Sequence, residues 1–247
     1  MGIVQTSINT RDEKWGLCTV DRALEEGCAL VVFPEMWLTG FSTSQEALEK
    51  TERYMERLLE ATRGANALII AGTFPEEEDG RFFNTAYCIS NARVVHKRRK
   101  LFLFEPMGET NIFSPGEPPA TFEACGLKVG VAICYELRFP CIFERLMREE
   151  PHIVAVPAQW PHPRIEHWRT LLRARAVEGQ YFIAGANVVG ETEKFTFSGF
   201  SGVFHPLGHP IIEVSHTEGL FICTLDFDSM YQYRRLVPVA RDLRLYG

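Results

Sequence analysis

The seven cysteines of this 247-residue sequence, at positions 18, 28, 88, 125, 134, 141 and 223, include no CxxC pair. An odd count without paired spacing argues against a disulfide framework and for a reducing compartment, the cytoplasm. The opening residues, Met1-Gly2-Ile3-Val4-Gln5, lack the charged flank and long apolar centre of a secretory leader. No apolar run approaches the roughly 20 residues needed to cross a bilayer. Basic residues form no stripe, and the formal charge is −6. The densest basic run, Lys97-Arg98-Arg99-Lys100, is too short for a nucleic-acid footprint. Its first three residues read as a solvated strand end. No glycine-rich phosphate cradle is present. His162 and His167 stand five apart, which does not place two imidazoles on one helix face, and nothing completes a metal ligand set. These absences predict a soluble protein with no cofactor, no metal, no nucleic-acid partner and no membrane span.

Hydrophobic residues make up 46% of the chain, enough for a sizeable core, and the length fits one domain over residues 1–247. Leu30-Val31-Val32-Phe33 is a continuous apolar run of the kind found in strands covered on both faces. The spacing predicts helices over 14–26, 45–63 and 166–178, and one beginning near Pro140, a residue suited to a first helical turn. Strands are predicted over 2–7, 67–73, 82–90, 93–97, 127–133, 153–157, 181–187, 202–205, 210–214 and 220–226, with an acidic loop at 76–80 and an irregular or helical tail. Strands alternating with helices, with hairpins mixed in, give a layered α/β domain with mixed sheets.

Three separated stretches carry chemistry: FPEMWLTGF around Glu35, RKLFLF around Lys100 and VGVAICYELRFP around Cys134. Each reactive group sits at or just after an apolar run. A thiol where a buried strand ends faces the usual site of open α/β sheets, and nearby backbone N–H groups favour negative charge there. The alternative is an inert buried cysteine, the reading kept for the other cysteines, Cys141 included. Glu35, beside Phe33, Met36 and Trp37, is expected to feel desolvation, which raises a carboxylate's pKa and makes it a usable base. Alternatively it caps a turn. Lys100 is either a strand-end charge or a fixed cation opposite Glu35. A carboxylate, an ammonium and a thiol are the minimum set for covalent attack on an amide-like carbon. Arg173, Arg175 and Glu178 are explained by pairing along one helix.

In this order the motifs resemble the nitrilase, or carbon–nitrogen hydrolase, superfamily, and the likeness runs over essentially the whole chain. It takes in ETNIFSPG, RARAVEGQ, FSGFSGVFHPLG and PVARDLRLY as well. The resemblance implies a four-layer α-β-β-α sandwich with two mixed sheets, and a homodimer. It implies Glu35 as general base, Cys134 as nucleophile, Lys100 as stabiliser of the tetrahedral intermediate with the N–H of Tyr135, and Glu109 as the residue orienting Lys100. FPEMWLTGF and residues 159–180 look most like the omega-amidase branch, whose substrates are small 2-oxo dicarboxylic acid monoamides. N-carbamoyl amino acids, deaminated glutathione or nitriles are alternative substrates, and a non-catalytic binding member is the alternative of another kind. A small acidic substrate calls for a cation, with Arg138 and Arg164 as candidates, though an ion pair pinning the loop after Cys134 explains Arg138 equally well. Trp37, Phe41 and Trp160 are candidate pocket walls. The chain departs from the common pattern at Glu136 (often Asp), Phe102 (often His) and Gln159 (often Asn). Glu136 and Gln159 are expected to line the pocket.

Overall fold

The computed structural model describes residues 1–246. Its first half is built around β1 (Gly2–Ser7), α1 (Glu13–Glu25), β2 (Leu30–Val32), α2 (Gln45–Ala61), β3 (Leu68–Glu78), β4 (Arg81–Ser90) and β5 (Arg93–Arg99). The second half contains β6 (Phe122–Ala124), β7 (Leu127–Val131), α3 (Pro140–Arg148), β8 (Ile153–Pro157), α4 (Ile165–Gly179) and β9 (Phe182–Ala186). It continues through β10 (Val188–Glu191), β11 (Thr196–Phe204), β12 (Pro210–Ser215), β13 (Gly219–Ile222), α5 (Phe227–Leu236) and α6 (Val239–Tyr246).

Strand alternation sets the layers. In β2 and β3, Val31 and Ile69 face an outer cluster with Leu17 and Val20 of α1 and Tyr54 and Leu58 of α2. Their neighbours Leu30, Val32, Leu68 and Ile70 face inward and share one core with Val129, Val131, Ile153 and Ala155 of the opposite sheet. Beyond that sheet, Ile142 and Leu146 of α3 and Trp168 and Leu172 of α4 close the other side. The order is therefore α-β-β-α, with both sheets mixed.

Hydrogen bonding joins the two sheets into one path, β5-β4-β3-β2-β1-β10-β11-β9-β8-β7-β6. One edge of β1 pairs in parallel with β2. On its other edge, residues 2–5 pair with β13, and Thr6 and Ser7 pair with β10. This joint explains why residues 181–187 and their sequel form two strands where one was expected: Asn187, buried and tied by its side chain to Trp160 and Gly199, separates β9 from β10.

The acidic segment 76–80 is not a loop up to its tip. Strand β3 runs through Glu78, and only Asp79 and Gly80, both with positive φ (51° and 73°), make the hairpin turn. The acidic run tolerates a strand because Glu76 and Glu78 pair with Lys97 and Arg99 of β5. No helix among the described residues is long and apolar enough to cross a membrane.

Candidate active site

Four strands deliver the central groups from their carboxyl ends. Glu35 follows β2, Lys100 follows β5, Cys134 follows β7 and Gln159 follows β8. Glu109 begins a one-turn 3-10 helix, Glu109–Asn111. The turn carrying Glu35 lies against β3 at Gly72, whose φ is +86°. A Cβ there would collide with the Pro34 carbonyl oxygen, so only glycine lets the two segments approach.

Lys100 Nζ donates to Glu35 Oε1 at 2.7 Å and to Glu109 Oε2 at 2.6 Å. All three side chains are buried. Asn84, in the middle of β4, donates from its amide nitrogen to Glu35 Oε1 and to Glu109 Oε1, each at 2.8 Å. Lysine and asparagine thus bridge the same two carboxylates and close a ring. Glu35 Oε2 accepts the N–H of Gln159 at 3.1 Å, and the Gln159 side chain donates to the Glu35 carbonyl at 2.9 Å. The surroundings of Glu35 are therefore a set of donors, whereas the sequence had suggested an apolar pocket. Burial works against charge on Lys100, but the two carboxylates outweigh it and hold the ammonium well above the usual lysine range. Burial raises Glu109, with Lys100 opposing.

Cys134 opens a 3-10 turn, Cys134–Arg138, with φ +45°, a left-handed conformation that L residues adopt only when held there. Its Sγ lies 3.8 Å from the Gln159 carbonyl oxygen. Burial, and next the Glu35 carboxylate, push the thiol up well above its usual range, with Lys100 opposing. The resting sulfur is thus a thiol facing a carboxylate. The N–H groups that open such a turn have no acceptor within it.

Cys134 lines a narrow cleft. Phe104, Tyr135 and Trp160 supply aromatic wall, and Arg138, Arg164 and Gln159 supply polar groups. The Arg138 guanidinium lies over the Trp160 ring at 4.8 Å and that of Arg164 over Phe104 at 5.4 Å. Neither arginine pairs with a carboxylate among the described residues; the Arg138 side chain hydrogen-bonds His167 Nδ1 at 3.1 Å. Desolvation and the neighbouring Arg164 charge lower the Arg138 pKa, which places two like charges beside one opening.

Of the residues proposed from sequence, the structure brings together Glu35, Lys100, Glu109 and Cys134, and sets Tyr135, Arg138, Trp160 and Arg164 around the cleft. Trp37 lies elsewhere. It is buried between Phe33, Tyr54 and Phe74, with its indole N–H on the Ala71 carbonyl, in the outer cluster under α1 and α2. Phe41 is half-buried and takes no part in the cleft wall. Glu136, expected in the pocket, points away and pairs with Arg98 at 2.8 Å. Arg98 is consequently buried, not solvated as the basic run had suggested, because the strand's alternation turns it inward while Lys97 and Arg99 face Glu76. Sequence reasoning passed over Asn84. Its signal was an amide interrupting the apolar strand Phe82-Phe83-Asn84-Thr85-Ala86, a polar group that burial obliges to find partners. No cluster of three metal-ligating side chains occurs among the described residues.

The sequence model of the carbon–nitrogen hydrolases matches residues 2–235. The chain belongs to the carbon–nitrogen hydrolase family. This hydrolase is 30% identical over 219 residues to a 2-oxoglutaramate amidase of Bacillus subtilis, covering 87% of this chain and 85% of that one. Among solved structures, a CN-hydrolase superfamily protein from Xanthomonas campestris, with an arsenic adduct in its active site, superposes with a TM-score of 0.83 at 26% identity, covering 98% and 96% of the two chains. A variant of an amidase from Nesterenkonia sp. AN1, showing Michael addition of acrylamide at the active site cysteine, gives 0.80 at 26% identity over 96% and 97%. Family and relatives make this an amide-hydrolysing enzyme.

Proposed function

We propose that this hydrolase cleaves the side-chain amide of a small 2-oxo dicarboxylic acid monoamide through a thioester on Cys134. The observation that carries the proposal is the buried Cys134 thiol facing the Glu35–Lys100–Glu109 ring, at a cleft where Arg138 and Arg164 have no carboxylate partner among the described residues. The 2-oxoglutaramate amidase likeness supports the same substrate class.

The raised thiol pKa means that deprotonation accompanies attack. Glu35 takes the Cys134 proton as Sγ bonds to the amide carbon. The oxyanion forms between the Lys100 ammonium and the Tyr135 N–H. Collapse breaks the C–N bond, and the leaving nitrogen takes the proton back from Glu35 and departs as ammonia. Water then attacks the thioester while Glu35 accepts one of its protons. The second tetrahedral species expels the sulfur, which recovers that proton from Glu35, and releases the carboxylic acid. Glu109 keeps Lys100 aimed throughout. The substrate's distal carboxylate meets Arg138 and Arg164, whose planar forks suit it.

The test is ammonia release from 2-oxoglutaramate, 2-oxosuccinamide, N-carbamoyl amino acids and simple nitriles measured in parallel, with Cys134→Ala as control. Turnover confined to the 2-oxo amides of the unaltered enzyme is expected. Preference for a nitrile or a carbamoyl substrate would replace the substrate assignment, and activity surviving in Cys134→Ala would end the covalent scheme.

A further inference from the structure

Glu136 is fully buried, two residues after the nucleophile, yet faces away from the cleft. Its Oε2 accepts the N–H of Ile133, the residue before Cys134, at 2.7 Å. Its Oε1 accepts the N–H of Leu101, the residue after Lys100, at 2.6 Å, together with Arg98 Nη2 at 2.8 Å. One carboxylate therefore grips the backbone beside both reacting groups.

A plain stabilising ion pair accounts poorly for this arrangement. Arg98 leaves Nε and Nη1 buried without a partner among the described residues, which opposes stability rather than adding to it. The bond to Ile133 also closes the turn in which Cys134 holds its positive φ, a conformation that persists only where its surroundings enforce it.

We infer that Glu136 is a positioning residue for the hydrolysis, fixing the Cys134 sulfur relative to the Lys100 ammonium by joining the N–H groups of Ile133 and Leu101. The inference rests on the proposed roles of Cys134 and Lys100. A glutamine at 136 cannot replace the carboxylate, since its NH₂ would turn a donor toward donors.

The test compares Glu136→Gln and the double variant Arg98→Met/Glu136→Gln with the unaltered enzyme. Displacing a nucleophile by a fraction of an ångström to an ångström lowers kcat by on the order of 10–100-fold. KM should stay within about threefold, because the cleft residues are untouched. Alkylation of Cys134 by acrylamide, followed by peptide mass spectrometry, should slow with kcat while circular dichroism reports a folded protein. A folded variant whose kcat and alkylation rate both remain within about twofold of the parent overturns the inference. If the single variant does not fold, the double variant, which leaves no unpaired buried charge, is read the same way. Rapid amide exchange at Ile133 and Leu101 in the unaltered protein also overturns it. Cys134→Ala run alongside separates the two levels. Turnover surviving there removes the nucleophile assignment, whereas an inactive Cys134→Ala beside a normal Glu136→Gln removes only the role of Glu136.

Discussion

Asn84 donates a hydrogen bond to Glu35 across 2.8 Å, from a residue 49 positions further along the chain. Because the same amide nitrogen reaches Glu109, Asn84 stands beside Lys100 as the second donor between two buried carboxylates. Asn84→Ala removes that donor from both. Burial already raises the Glu109 pKa, so with one donor fewer it protonates more readily. The expected result is a kcat lower by about 10–100-fold, with the acidic limb of the pH–rate profile moved to higher pH. A loss of activity that is uniform across pH would count against this account.

Lys100→Ala deletes the proposed oxyanion partner and leaves Glu35 and Glu109 facing each other. A fall in kcat of on the order of 10²–10³ is expected from steady-state ammonia release. Retention of more than about a tenth of the activity would assign the oxyanion elsewhere.

As the proposed carboxylate contacts, Arg138 and Arg164 should divide substrates by charge. Arg138→Met is expected to raise KM for a carboxylate-bearing amide by about 10–100-fold, the worth of a charge-assisted hydrogen bond, and to leave a neutral amide of similar length nearly unchanged. Equal effects on both substrates would mark Arg138 as a support for Trp160, over whose ring it lies, instead of a substrate contact.

Glu76 should shape acid stability. Burial alone would raise its pKa, but hydrogen bonds from Arg99, Lys97 and Thr85 outweigh it and hold the carboxyl at about 2. A folded-state value below the unfolded one contributes stability above the unfolded pKa and loses it as pH falls through the folded pKa. The melting temperature of Glu76→Gln should therefore lie below that of the parent at neutral pH, with the gap closing from about pH 5 to about pH 2. A gap independent of pH would sink the assignment.

Gly72→Ala places a Cβ against the Pro34 carbonyl oxygen at φ +86°. The strain should cost about 2–4 kcal/mol of stability by denaturant unfolding. Because Pro34 precedes Glu35, any folded Gly72→Ala protein should also lose turnover.

The main elements were legible because their signals are local. The apolar run 30–33 reads as a strand covered on both faces, and β2 is indeed buried throughout. Helical spacing located α1, α2 and α4 to within two residues at either end. The break at Asn187 was not legible, since β10 exists by pairing with β1 at the far end of the chain, a contact no local pattern encodes. The same limit applies to Trp37 and Glu136. Composition marks each as able to pack or to pair, but the direction of a side chain follows from strand alternation and from what the opposite layer presents.

By itself the sequence determined which reactive groups exist, that they follow apolar strands, and that they resemble one family of hydrolases. Tertiary structure decided which groups converge: it set Asn84 and Lys100 between Glu35 and Glu109, turned Glu136 from the cleft toward Arg98, and placed Arg138 and Arg164 together at the cleft. The physical reason is that periodicity fixes a face of an element, whereas a hydrogen bond depends on distances set by how separate elements pack.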